Sequence, residues 1–355
     1  MALRRVQPTY SGIVALRELQ DKSQMPDVIA HGEVLIDFVP TVSGVSLIEA
    51  PAFIKAPGGA PANVAVGLAR LGAASGFMGQ VGDDAFGHFL AQTLGENHVD
   101  ISALKFSAQA RTALAFVSLK ANGERDFMFY RHPSADMLYR VEDVDADYVR
   151  TARVFHFGSI SLIGEPARAA ALYAVDAARA AGLLISYDPN LRLPLWPDAA
   201  AARAGLLLGW PLANVIKVSE EELAFLTGKD LTDFEHLPAL AAAARELWHP
   251  GLRLLVITRG KAGCRYVTPV FAGEVPGFSV EAVDTTGAGD AFVAGLLKGL
   301  LDQPDAFDDE VRLRAICRYA NAVGALTTTQ RGAIPALPTA QQVADFLTAA
   351  STKDS

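Results

Sequence analysis

Residues 282–300 read AVDTTGAGDAFVAGLLKGL. Asp284, Thr285 and Thr286 are turn and cap residues, Gly287-Ala288-Gly289 is a loop of small residues, and an apolar helix begins at Asp290. A glycine turn feeding a helix leaves unpaired backbone N–H groups at the positive end of the helix dipole, which is an anion site. A carboxylate at that place repels an anion unless it has a task. One such task is to take the proton of a hydroxyl as its oxygen attacks a phosphoryl group. The alternative is that Asp290 only complements the helix start. These residues alone leave both open.

A second small-residue cluster, APGGAPANVAVGLARLG at 56–72, places Gly58-Gly59 ahead of a helix with Pro61 in its first turn. Asn63 lies near that helix start, where its amide can bond a ligand hydroxyl; a plain turn followed by helix packing is the other reading. Three polar clusters sit at the ends of apolar runs: Glu33 with Asp37, Asp188-Pro189-Asn190-Leu191-Arg192, and Ser219-Glu220-Glu221-Glu222. A ligand site on a parallel sheet needs polar groups at strand C-termini.

The elements that would carry these groups alternate. Candidate strands are 28–39, 74–81, 153–160, 183–188, 215–218 and 252–258, separated by alanine-rich periodic stretches at 61–71, 166–181, 198–209 and 236–247. That alternation predicts an α/β fold with a mostly parallel sheet and helices on both faces. Residues 41–58 and 111–131 break the rhythm and read as β segments, the second a hairpin turning at Asn122-Gly123. They can pair as a small sheet, or lid, over the strand ends.

The chain of 355 residues is 51% apolar and 20% charged, which allows a large core. A net charge of −8 argues against a nucleic-acid partner. No apolar stretch approaches the roughly 20 residues that span a bilayer. The two cysteines, Cys264 and Cys317, are read as reduced thiols in a cytoplasmic protein. Residues 1–24 lack a continuous apolar segment, so no secretory signal is expected there. The sequence has no GxxxxGK[ST] loop, no GxGxxG fingerprint, no GxSxG elbow and no HExxH. The seven histidines are scattered and receive no role.

GGAPANVAVGLARLG at 58–72 and DTTGAGDAFVAG at 284–295, in that order, resemble the two signatures of the ribokinase-like, or PfkB, carbohydrate kinases. The likeness extends over residues 28–340. GEVLIDFVPTVSGVSL, FYRHPSADML, FHFGSISLI, SYDPNLRLPLW, IKVSEEELAFLTG and TQRGAIPALPT resemble segments of its fructokinase branch. The resemblance implies a three-layer sandwich with a small β lid, commonly used in dimerisation, and ATP-dependent phosphorylation of fructose at O6.

Carried over by position, it implies Asp290 as base, with the N–H groups of Gly287, Ala288 and Gly289 as anion hole. Asp37, Gly58, Gly59, Asn63, Asn190 and Arg192 would hold the sugar. Lys217, Thr258, Arg259, Gly260, Gly263 and Asn321 would contact the nucleotide. Glu222 would act on Mg²⁺ through water, and Asp284 and Thr286 on a monovalent cation, K⁺, with the 327–336 backbone. Ser219 stands where many members carry Asn, and His132 where plant-like fructokinases are expected to carry Asn. The domain expected is 26–345, with residues 1–25 a poorly ordered extension and 346–355 a tail. Rival acceptors are 2-keto-3-deoxygluconate, ribose or a nucleoside. A regulatory binding protein is the non-enzyme alternative, which has no need of Asp290.

Overall fold

The computed structural model describes residues 25–42, 44–119 and 125–353. Residues 1–24 and the Asn122-Gly123 turn lie outside them. Nine strands form one sheet in the order β13-β12-β11-β10-β9-β8-β1-β4-β5. From edge to edge these are β13 (Ala272–Val275), β12 (Cys264–Val267), β11 (Leu254–Thr258), β10 (Val215–Ser219), β9 (Leu184–Asp188), β8 (Val154–Gly158), β1 (Val28–His31), β4 (Ser75–Gly82) and β5 (Leu104–Ser107). All neighbours are parallel except β11–β12 and β12–β13.

Successive strand side chains face opposite layers. Val28, Ala30, Val215, Leu254 and Val256 enter one core with helices α1 (Ala60–Arg70), α8 (Ala288–Asp302) and α9 (Glu310–Thr327). Ile29, Ile216, Leu255 and Ile257 enter another with α4 (Ala167–Ala180), α5 (Ala199–Gly209) and α7 (Leu237–Glu246). The sheet is therefore buried on both faces, which is why its strands read as continuous apolar runs rather than as alternating ones.

A second sheet has the order β3-β2-β6-β7, from β3 (Phe53–Gly58), β2 (Leu35–Pro40), β6 (Leu114–Leu119) and β7 (Arg125–Tyr130). The run expected as one strand over 28–39 is thus two strands in two sheets. The chain breaks at Gly32, whose φ of 147° is open to glycine and disfavoured for other residues. Within 41–58 the only strand among the described residues is β3. Helix α2 (Ala85–Glu96) supports the lid: Phe86 meets Phe38 of β2 at 5.9 Å between ring centroids, and the Lys55 ammonium of β3 lies 3.8 Å from the Phe89 ring centroid.

Helix α10 (Ala340–Lys353) runs through the stretch expected to be a tail from 346, and the Phe346 ring packs on Phe278 at 5.1 Å. No helix of the described residues is long and apolar enough to cross a membrane.

Candidate active site

Gly287 caps α8 with φ 77°, a left-handed turn that places Asp290 in the helix's first turn. N–H groups there have no intrahelical acceptor. The Ala288 N–H makes only a long bond of 3.3 Å to the Thr285 carbonyl. Asp290 is buried, and its Oδ2 accepts a hydrogen bond of 2.7 Å from Asn63 Nδ2 in the first turn of α1. The two signatures, far apart in the chain, therefore meet through one bond. Asn63 Oδ1 is buried with no hydrogen-bond partner among the described residues. Burying a polar atom without a partner costs about 1–3 kcal/mol.

Burial pushes the Asp290 carboxyl up to about 6; Asp188 adds to the rise, while the Asn63 bond and the charges of Lys217 and Arg192 oppose it. A carboxyl poised just under neutral pH is mostly ionised at pH 7 and still able to take up a proton. Lys217 Nζ, also buried, lies 3.0 Å from Asp188 Oδ2. Burial disfavours its charge, but Asp188, Glu222 and Asp290 outweigh that and hold Lys217 above its ordinary range. A Cβ on Gly289 would sit 3.1 Å from Lys217 Nζ, so this ammonium reaches the head of α8.

On the lid side, burial raises the Asp37 carboxyl to about 7, with Arg192 lowering it and Asp290 and Asp284 raising it. Asp37 on β2 thus shares one electrostatic neighbourhood with Asp290 on α8. A Cβ on Gly58 would stand 2.2 Å from Asp37 Oδ2. Gly59 is the N-cap of α1. Asn190 has φ 44° and its N–H donates to Asp188 Oδ1 at 3.1 Å, a turn that carries the chain to Arg192.

The nucleotide candidates other than Lys217 gather at the ends of β11 and β13. Thr258 Oγ1 donates to the Val218 carbonyl at 3.2 Å, and Arg259 Nε to Glu220 Oε1 at 2.6 Å. The 260–263 turn returns at Gly263, where a Cβ would lie 2.2 Å from the Val275 carbonyl oxygen. Asn321 Nδ2 donates to the Val275 and Pro276 carbonyls, each at 3.2 Å. These groups converge on the end of β13, beside an open groove of about 590 Å³ lined by Gly277, Phe278, Arg314, Arg318 and Phe346. Lys217 stands apart from this group, in the buried cluster with Asp188 and Asp290.

Glu222 is held by backbone N–H groups. Its Oε1 accepts from the Leu191 N–H at 2.7 Å and its Oε2 from the Ser219 N–H at 2.8 Å, while Ser219 Oγ accepts from the Glu222 N–H. This is a capping box on helix α6 (Glu220–Thr227). Its carboxylate binds the backbone of the loop that carries Arg192. Among the described residues no three His, Cys, Asp or Glu side chains are grouped to hold a metal. Asp284 Oδ1 accepts from the N–H and hydroxyl of Thr286, and its Oδ2 from the Gly332 N–H at 2.9 Å, joining the head of α8 to the 327–336 turn.

The sequence reading passed over one further group. A cavity of about 210 Å³ opens beside the first signature, with His31, Glu33, Arg131, Asp136, Ile160 and Pro194 in its wall. Glu33, flagged only as a strand-end residue, accepts the Ala60 N–H on Oε1 at 3.1 Å.

Residues 25–340 match the family model of the pfkB family carbohydrate kinases. The chain is 57% identical over 320 residues to a probable fructokinase-4 of Arabidopsis thaliana, covering 90% of this chain and 96% of that protein. A crystal structure of fructokinase with bound ATP from Xylella fastidiosa superposes with a TM-score of 0.82 at 36% identity, covering 91% of this chain and 98% of that one. A double mutant of the Vibrio cholerae fructokinase, with fructose, ADP and a potassium ion bound, gives a TM-score of 0.80 at 36% identity, covering 91% and 98%.

Proposed function

The chain belongs to the pfkB family of carbohydrate kinases, and from that membership we propose that it transfers the terminal phosphoryl group of ATP to O6 of fructose with Asp290 as base. The bond between Asn63 and Asp290 carries the residue assignment. It fixes one carboxylate oxygen toward the body and leaves the other for the acceptor hydroxyl. The buried, unpartnered Asn63 Oδ1 stands next to it for a second hydroxyl.

In this reading the sugar lies between the lid and the head of α8. Asp37, Gly58, Gly59, Asn63, Asn190 and Arg192 bind and orient it. Asp290 accepts the proton of the attacking hydroxyl, and the acceptor oxygen bonds to phosphorus as the bond to ADP breaks. The N–H groups of Gly287, Ala288 and Gly289 face the charge that develops on the transferred group, at a helix terminus that needs no reorganisation. Lys217 holds Asp188 and adds positive charge at the same place. Thr258, Arg259, Gly260, Gly263 and Asn321 border the nucleotide. The lid covers the sugar and excludes water, the competing acceptor.

Mg²⁺ with ATP is the metal of this reaction class, and it supplies charge neutralisation at the phosphates. The donor set fits a metal held mainly by nucleotide and water: no dense carboxylate cluster is present among the described residues, and Glu222 already serves the backbone. Asp284, Thr286 and the 327–336 backbone suit a K⁺ site, a carboxylate joined to a turn rich in carbonyls. Pairing of two chains through the lid is supported by the exposed apolar residues Val39, Ile54, Met128 and Tyr130 on its strands. The buried, free thiols of Cys264 and Cys317 support a cytoplasmic enzyme.

The test is ATP turnover with equal fructose, ribose, 2-keto-3-deoxygluconate and fructose 6-phosphate. A kcat/KM for any of the last three above that for fructose overturns the acceptor. No sugar-dependent turnover overturns the kinase.

A further inference from the structure

The 210 Å³ cavity is a chamber separate from the groups that hold the reacting hydroxyl, since none of Asp37, Asn63 and Asp290 lines it. It shares two walls with them. Glu33 binds the backbone immediately behind Gly59. Pro194 and Leu195 follow Arg192, whose charge is felt at both Asp37 and Asp290. The chamber therefore adjoins the first turn of α1, which carries Asn63.

Its charges are balanced in an unusual way. The Arg131 guanidinium, at the end of β7 and 5% exposed, pairs through Nη2 with Asp136 Oδ2, and Asp136 is 9% exposed. The Ser134 hydroxyl donates to the other Asp136 oxygen. Glu33 is a second carboxyl close enough for its charge to act on Arg131. Arg131 thus faces two acids, a third acid, Glu165, also lines the wall, and the chamber has no net positive charge to offer an anion.

Two polar atoms in the wall remain without a hydrogen-bond partner among the described residues: Arg131 Nε and His31 Nε2. His31 Nδ1 lies 3.0 Å from the Met78 carbonyl, which accepts only from a protonated Nδ1. Burial holds the ring's pKa down to about 4, so the ring is neutral and Nε2 is an acceptor. These two unpartnered atoms are one donor and one acceptor. A hydroxyl, itself both donor and acceptor, satisfies such a pair; a carboxylate or phosphate satisfies only the first and meets the second with its own lone pairs.

We infer that this chamber receives the end of the acceptor remote from the transferred hydroxyl and restricts the kinase to uncharged polyhydroxy acceptors, with Asp136 as the specificity-determining residue. The inference rests on the sugar-kinase reading above. Asp136 acts by occupying Arg131: while the guanidinium is paired, an acidic sugar finds no free cation to offset the loss of its water.

The experiment compares wild-type protein with Asp136→Asn and, separately, Glu33→Gln, which removes the second acid and leaves the ion pair standing. For each, kcat/KM is measured with ATP for fructose and for 2-keto-3-deoxygluconate, a sugar acid of similar size. Circular dichroism identifies the folded variants, and calorimetric titration of each acceptor reads binding independently of turnover. The ratio of sugar acid to fructose is expected to rise at least tenfold in Asp136→Asn, and by a smaller factor in Glu33→Gln. If Asp136→Asn does not fold, the rise in Glu33→Gln carries the test. A wild-type enzyme that uses fructose, with folded variants whose ratio stays at the wild-type value, overturns the inference and leaves the kinase reading intact. A wild-type enzyme that prefers the sugar acid overturns both.

Discussion

Removing the Asn63 amide should move the acid limb of the pH–rate profile. Asn63 donates to Asp290 Oδ2 at 2.7 Å in a buried setting. A hydrogen bond to an ionised group contributes about 1.5–3 kcal/mol, and one pKa unit corresponds to about 1.36 kcal/mol. The bond therefore holds the Asp290 pKa down by about 1–2 units. Without it the value near 6 should climb to about 7–8. The surrounding charges stay: Lys217 on β10 and Arg192 after β9 favour the ionised base, and Asp188 at the end of β9 and Asp37 on the lid disfavour it. Near pH 7 the ionised fraction should fall from about 0.9 to about 0.1–0.5. The assay is kcat/KM for fructose with saturating ATP from about pH 5 to about pH 9, which reports the free enzyme's base. If Asn63→Ala also loses a contact to the sugar, that loss lowers the whole curve evenly, whereas loss of the Asp290 bond shifts its acid limb. An acid limb that stays at the wild-type pH, whatever the height of the curve, refutes the argument.

Asp290→Asn should bind ATP and fructose with little change while turnover drops by about 10²–10⁴; turnover within a few-fold of wild type removes Asp290 as base. The same substitution should stabilise the protein at neutral pH. A raised carboxyl binds its proton more tightly when folded, so its contribution is complete below the unfolded value near 4 and is lost as pH rises through the folded value near 6, an amount of about 3 kcal/mol. Denaturant melts of the wild type should therefore weaken from about pH 4 to pH 7 more than those of the variant, and parallel curves contradict this. Gly58→Ala puts a methyl 2.2 Å from Asp37 Oδ2, so KM for fructose should rise at least tenfold with KM for ATP unchanged; equal effects on both substrates refute a sugar-holding role for Asp37. Exchanging potassium for tetramethylammonium should lower kcat, and an unchanged rate removes the cation from the Asp284 turn.

The parts of this site that sequence made legible are those whose physics is local. The Gly287-Ala288-Gly289 turn, the helix after it and Asp290 are encoded within a few consecutive residues. Strands β4 and β8 to β11 were visible because both their faces are buried. The break between β1 and β2 was not, since an apolar run reads the same whether it crosses one sheet or two, and Gly32 alone marks the change. Strands β12 and β13, short and antiparallel, gave no signal beside a run of parallel ones. The capping box of Ser219 and Glu222, three residues apart, is as local as the Gly287 turn. The joint role of Arg131, Asp136, Glu33 and His31 was not legible, beyond Glu33 as a strand-end residue, because it comes from a cavity assembled by β1, β4, β7 and the loops around them. Lys217 could be placed at the site, but its partner Asp188 sits on a neighbouring strand and only the fold joins them.

The split at Gly32 sends one continuous segment from the central sheet into the lid, so Asp37 and Asp290 belong to different bodies. In the proposed reading, substitutions in β2, β3, β6 and β7 alter how the acceptor is held and leave the head of α8 as it stands, whereas a substitution of Asn63 touches both.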